Sequence, residues 1–212
     1  MMTNEEFAQV LALDHELHGI EFKGPGLASD RRLFAEVAKA TLGMANRRDG
    51  GHIIIGVNCS PGIVDPVGLT RSQLGTWNYD DVASKLAEYA EPSISFDLEV
   101  KECDGRNYVV LEVREFEQVP ILCKKNYPEV LRKGACYVRS RRKPETTEIP
   151  TQEDMRDLLN LAIEKSLREY VALAYRAGAV LVPIPVTPIT PSPFPAPGAA
   201  KQRYDEQLGD LK

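Results

Sequence analysis

The chain has 212 residues, 43% of them hydrophobic and 27% charged, which suits one well-packed soluble domain with an appendage and falls short of two full domains. A net charge of −5 gives no global attraction to nucleic acid or membrane, so such a partner has to be met by a local cluster. No apolar run reaches the roughly 18 residues of a membrane helix, Met1 to Glu6 is unlike a secretory leader, and the four scattered cysteines form no Cys-x-x-Cys pair, so a cytoplasmic protein with reduced thiols is expected.

In chain order, Asn4 to Leu13 reads as a short capped helix with Phe7, Val10 and Leu11 on one face. Ile20 to Lys23 reads as a strand broken by Gly24-Pro25-Gly26. Asp30 can cap a helix carrying Leu33, Phe34, Val37, Ala38, Thr41 and Leu42, which should end near Asn46 before the turn Asp49-Gly50-Gly51. His52 to Val57 is a continuous apolar run, as in a strand buried on both faces. A Gly- and Pro-rich loop follows through Gly68, then a helix from about Asn78 to Glu91 with Val82, Leu86 and Tyr89 inward. Ile94 to Glu102 and Tyr108 to Phe116 flank Asp104-Gly105, the pair that a tight hairpin turn requires. A last strand spans Ala135 to Ser140, and Thr151 with Asp154 opens a long helix to about Tyr175. The expected division is a domain over 1–176, a Pro-rich linker over 177–200 with seven prolines from Pro183 to Pro197, and a charged tail over 201–212.

Several chemical readings fail on spacing. His15-Glu16-Leu17-His18 lacks the His-Glu-x-x-His separation that places two imidazoles on one helix face. Gly50-Gly51 precedes a strand, where phosphate-cradling glycine loops precede a helix, so ATP binding has only weak support. The clearest local signal is basic. Lys124, Lys125, Arg132, Lys133, Arg139, Arg141, Arg142 and Lys143 crowd one segment against the single acid Glu129, with Tyr127 and Tyr137 interleaved. Such cations suit phosphate contacts, and tyrosines can stack on exposed bases. The alternative is a solvated face balanced by neighbouring glutamates; Arg47 and Arg48 would extend the basic cluster.

The order Glu16-x-x-x-x-Glu21-Phe22-Lys23, then Met44-Ala45-Asn46, Asp49-Gly50-Gly51, the strand Ile53 to Val57, a hairpin, Pro120 and Gly134-Ala135-Cys136-Tyr137-Val138-Arg139 resembles the Schlafen-type AlbA_2 domain over roughly residues 10 to 160. The resemblance implies an α/β fold with a mixed sheet and flanking helices, and binding of RNA or DNA on a basic surface. In active members it implies Mg- or Mn-dependent endonuclease action on structured RNA such as tRNA. Glu16 and Glu21 match the first two acids of that site, with Lys23 beside the scissile phosphate. The third acid stands in a Gly-Val-x-Asp context, which here reads Gly56-Val57-Asn58-Cys59 and puts Cys59 in its place. A neutral thiol is a poor ligand for a hard cation. The expectation is therefore a nucleic-acid-binding protein with a degenerate or weak nuclease site, forming a homodimer because Schlafen cores set two such lobes face to face. One alternative is an active ribonuclease, in a role such as phage defence, with Asn58 or Asp65 supplying the missing ligand. The other is a non-catalytic interaction module or ATP-binding regulator whose Pro-rich tail recruits a protein partner.

Overall fold

The computed structural model describes residues 2–13, 15, 17–60, 63–140 and 144–178. Its elements are α1 (Asn4–Leu11), β1 (Ile20–Lys23), α2 (Arg31–Ala45), β2 (Gly51–Ile55), β3 (Val57–Ser60), β4 (Ile63–Pro66), α3 (Arg71–Leu74), α4 (Tyr79–Ala87), β5 (Ala90–Glu91), β6 (Phe96–Cys103), β7 (Arg106–Val113), β8 (Leu122–Cys123), β9 (Tyr137–Arg139), β10 (Thr146–Glu148) and α5 (Gln152–Arg176). The chain divides into two compact units, Met1–Val171 and Ala172–Lys212. The second is described only to residue 178, so the Pro-rich linker beyond it and the charged tail lie outside the described residues.

The helices start where side chains can satisfy their first free N–H groups. Thr3 Oγ1 accepts from Glu6 N–H at 3.2 Å while Glu6 accepts from Thr3 N–H at 2.8 Å, closing a capping box on α1. Asp30 accepts from the N–H groups of Arg32 and Leu33 at the head of α2.

The main sheet is mixed, in the order β1-β2-β7-β6, with β1 parallel to β2 and the other pairs antiparallel. Strand alternation sends Ile53, Ile55, Val109, Leu111 and Val113 to one face, where α2 and α4 bring Phe34, Val37, Leu42, Val82 and Leu86. Ile20, Phe22, Ile54, Tyr108 and Val110 line the other face and meet Phe7, Val10 and Leu11 of α1. The apolar run of β2 is thus buried on both sides.

Several elements differ from the sequence expectation, and β10 follows the strand expected to be the last. The run through Val57 breaks at Gly56, whose φ of +111° ends β2 and turns the chain into β3. Residues expected as loop then pair as the β3–β4 hairpin, with Asn58 opposite Asp65 and Cys59 opposite Val64. The helix expected to Glu91 stops at Ala87, because Ala90 and Glu91 pair with β8 instead. The Asp104-Gly105 hairpin turns as expected, with φ of 51° and 69°. At Gly50, φ is +65° and a Cβ would lie 2.0 Å from the Val113 carbonyl oxygen. The glycine there is a packing requirement of the α2–β2 turn, with no phosphate needed to explain it.

His52 on β2 is partly buried, and its Nε2 has no hydrogen-bond partner among the described residues. Burial pushes its pKa below the ordinary 6.5, against a weaker upward pull from Glu112. The unfolded chain therefore takes up this proton more readily, and stability should fall as pH drops through about 6.5. In urea titrations from pH 7 to 5, His52→Gln should flatten that decline; an unchanged pH dependence would assign it to other groups.

Candidate nucleic-acid interface

Glu21 lies on β1 on the sheet face that meets α2, and it is 8% exposed. Two cations hold its carboxylate. Lys23 Nζ donates to Oε1, and the Arg139 guanidinium reaches Oε2 through Nη1. The Arg139 side chain, brought in by β9, is fully buried. It also donates from Nε to the His18 carbonyl at 3.2 Å and from Nη2 to the carbonyls of Ile20 at 2.6 Å and Leu17 at 3.4 Å. One guanidinium therefore ties β9 to β1 and to the turn before it, using the fixed fork of donors that arginine supplies. Glu16, the partner expected for Glu21, lies outside the described residues.

Glu21 and Lys23 open into a cleft of about 260 Å³ whose walls include Arg32, Glu36 and Lys39 of α2 and Glu129, Glu145 and Thr146 opposite. A larger cleft of about 570 Å³ lies between the α2–β2 turn, the end of β9 and the start of α5, with His18, Arg47, Arg48, Asp154 and Asp157 among its lining.

Of the divalent-ion site expected from the sequence, the described residues include Glu21 and Lys23. Both Glu21 oxygens face cations that a metal would have to displace and that would repel it at short range. Among the described residues no three of His, Cys, Asp and Glu cluster as a metal site. The strand alternation of β3 also bears on the third acid. A Cβ on Gly24 would lie 3.0 Å from Asn58 Oδ1, so Asn58 is the residue turned toward the end of β1. Cys59 is exposed on the opposite face of the hairpin.

The basic segment separates into two kinds of residue. Lys124, Lys125, Arg132 and Lys133 are exposed. Lys124 faces Glu91 at 3.5 Å, Lys125 reaches Glu88 at 2.5 Å and lies over the Tyr89 ring, and Arg132 makes a forked contact with Glu148 at 2.6 to 3.2 Å. Hydrogen bonding from Lys125 lowers the Glu88 pKa, as that from Arg132 lowers Glu148. Tyr137 and Arg139, by contrast, are interior. Tyr137 is 2% exposed and its hydroxyl accepts from Arg132 N–H at 2.9 Å, which takes it out of reach of a base. Arg139 anchors Glu21 and has no surface from which to reach a phosphate. Arg141, Arg142 and Lys143 lie outside the described residues.

The sequence places Asn46 at the end of a helix and in the Met44-Ala45-Asn46 motif, with no role of its own. Buried at the C-cap of α2, it donates from Nδ2 to the carbonyls of Ile121 at 2.8 Å and Tyr137 at 2.9 Å, and its Oδ1 accepts from Ile121 N–H at 2.8 Å. It thereby fixes β9, and with it Arg139, against α2. An amide at a helix end followed by a glycine turn was the available signal, and it indicates capping as readily as this long-range staple.

A four-stranded mixed sheet with α1 on one face and α2 and α4 on the other defines an α/β protein in which a buried acid is clamped between two cations. The family described as Schlafen, AlbA_2 matches residues 16–148, and the chain belongs to it. No match to a curated protein was found. Among solved structures, the crystal structure of the DIP2311 protein from Corynebacterium diphtheriae is similar at a TM-score of 0.48 and 15% identity, over 69% of this chain. This chain spans only 26% of that protein. The solution structure of the N-terminal domain of a RecG-related protein from Nitrosomonas europaea is similar at a TM-score of 0.44 and 21% identity, over 63% of this chain and 88% of that one. Among the described residues, no helix is long and apolar enough to cross a membrane.

Proposed function

We propose that this protein binds RNA or DNA through the exposed cations Lys124, Lys125, Arg132 and Lys133, extended by Arg141, Arg142 and Lys143, and that its nuclease centre is degenerate. In this reading it acts in the cytosol as a homodimer. The observation that carries the proposal is how the exposed cations are held. Each of Lys124, Lys125 and Arg132 rests in a solvent-exposed ion pair, and such pairs contribute about 0 to 1 kcal/mol. A polyanion can therefore replace the glutamates at small cost, while releasing its own counterions. Family membership supports the same reading. The degenerate centre rests on the Glu21 clamp, since a carboxylate committed to Lys23 and Arg139 is poorly placed to hold a metal.

The test is binding of tRNA and of a DNA duplex between 50 and 200 mM salt. Four phosphate contacts should weaken duplex affinity about a hundredfold over that range. Reversing Lys124, Lys125 and Lys133 to Glu together should abolish binding while leaving the fold intact. Absence of any binding at 50 mM salt would overturn the proposal. Incubation with Mn²⁺ or with chelator, beside Glu16→Ala, tests the second part. Metal-dependent cleavage lost in that variant would show an active nuclease. Glu16 is the cleaner variant because Glu21→Ala would also strand the Arg139 charge.

A further inference from the structure

Helix α5 carries two apolar faces, and the fold uses one of them. Leu158 and Leu161 are buried against the core, with Ala162 beside them. On the other side Met155, Leu159, Ile163, Leu167 and Tyr170 are 42%, 50%, 57%, 58% and 65% exposed. At roughly 100° per residue these five share an arc of about 120°, centred about 150° from the buried pair. A row of five large apolar side chains in water is unusual for a folded chain and marks a surface that meets another protein.

We infer that this row is the docking surface for a second copy of the same chain, α5 packing antiparallel on α5 about a two-fold axis at Ile163. A two-fold interface has to be its own complement. Most of the row has that property: Leu159 and Leu167 stand four residues either side of Ile163, Met155 and Val171, itself 38% exposed, stand eight either side, and Tyr170 is set against Arg156 of the other copy, an aromatic ring beside a cation. Antiparallel pairing sets Ile163 on its own copy, Leu159 on Leu167 and Met155 on Val171. The area is also sufficient. Taking about 200 Å² for a fully exposed large side chain, the row together with Val171 exposes roughly 600 Å² per copy, and its complete burial in two copies reaches the roughly 1,200 Å² at which stable interfaces begin. An unrelated partner would need no such symmetry in the row.

This inference rests on the homodimer in the proposed function and is independent of nucleic-acid binding, which the salt titration tests separately. The experiment is light scattering with size exclusion on the full chain from 1 to 100 µM. The expected mass is a dimer, twice 23.6 kDa. Ile163→Glu puts two like charges on the axis and should give a monomer with unchanged helix content, whose melting temperature no longer rises with protein concentration as that of a wild-type dimer does. Mixing Ile163→Glu with Ile163→Lys should restore the dimer, an outcome that only self-contact at position 163 produces. A wild-type monomer at 100 µM, or an Ile163→Glu dimer as stable as wild type, would overturn the inference.

Discussion

Arg139→Ala should destabilise the protein by about 3 to 5 kcal/mol, the cost of leaving one member of a buried ion pair without its partner. Three losses combine. The Glu21 carboxylate, 8% exposed, keeps Lys23 but loses the guanidinium on its other oxygen. The carbonyls of His18 and Ile20 lose the guanidinium donor, and that of Leu17 keeps only the Ile20 N–H, which loosens the turn that leads into β1. The space left by a fully buried arginine stem remains as a cavity. Urea unfolding reads the effect as a lower midpoint at constant slope. Arg139→Lys should recover only part of the loss, because a single ammonium cannot satisfy Glu21 and the carbonyls on two edges at once. Pairing Arg139→Met with Glu21→Gln should cost less than Arg139→Met alone, since the buried charge is removed with its partner. A loss under about 1 kcal/mol in Arg139→Ala would mean that water replaces the guanidinium freely, and the clamp would not be structural. The salt dependence of nucleic-acid binding should be the same in wild type and in any folded Arg139 variant, as expected for a residue that touches no phosphate.

Asn46→Ala should cost about 2 to 4 kcal/mol, from three buried backbone groups losing their partners together. The Ile121 N–H and carbonyl and the Tyr137 carbonyl all turn to this one amide. Asn46→Asp should be nearly as damaging. Its oxygen still accepts from Ile121 N–H, but a carboxylate repels the two carbonyls that the amide served. Amide exchange adds a local readout: protection at Ile121 should fall by more than the global loss of stability accounts for. Uniform loss across the sheet would make Asn46 an ordinary cap.

Much of the fold was legible because local chemistry and tertiary packing agree. Asp104-Gly105 makes its hairpin through positive φ angles, and Asp30 begins α2 because its carboxylate satisfies free N–H groups wherever that helix packs. The apolar run before Gly56 had to be covered on both faces. Where the strand ended was not legible, since a glycine within an apolar run permits continuation or a break. The basic segment shows the same limit in the site. Eight cations in twenty residues read as one surface, yet β9 is enclosed between α2 and β10 and carries Tyr137 and Arg139 inward. Burial depends on what covers a strand, and the covering elements come from elsewhere in the chain.

The Glu16 and Glu21 spacing, the glycine turn and the order of strands together determined the family from the sequence alone, because they are local patterns that survive whatever surrounds them. Only the tertiary structure decided which charges oppose one another. Arg139 is separated from Glu21 by more than a hundred residues, and no periodicity or propensity records a contact made by folding that distance closed.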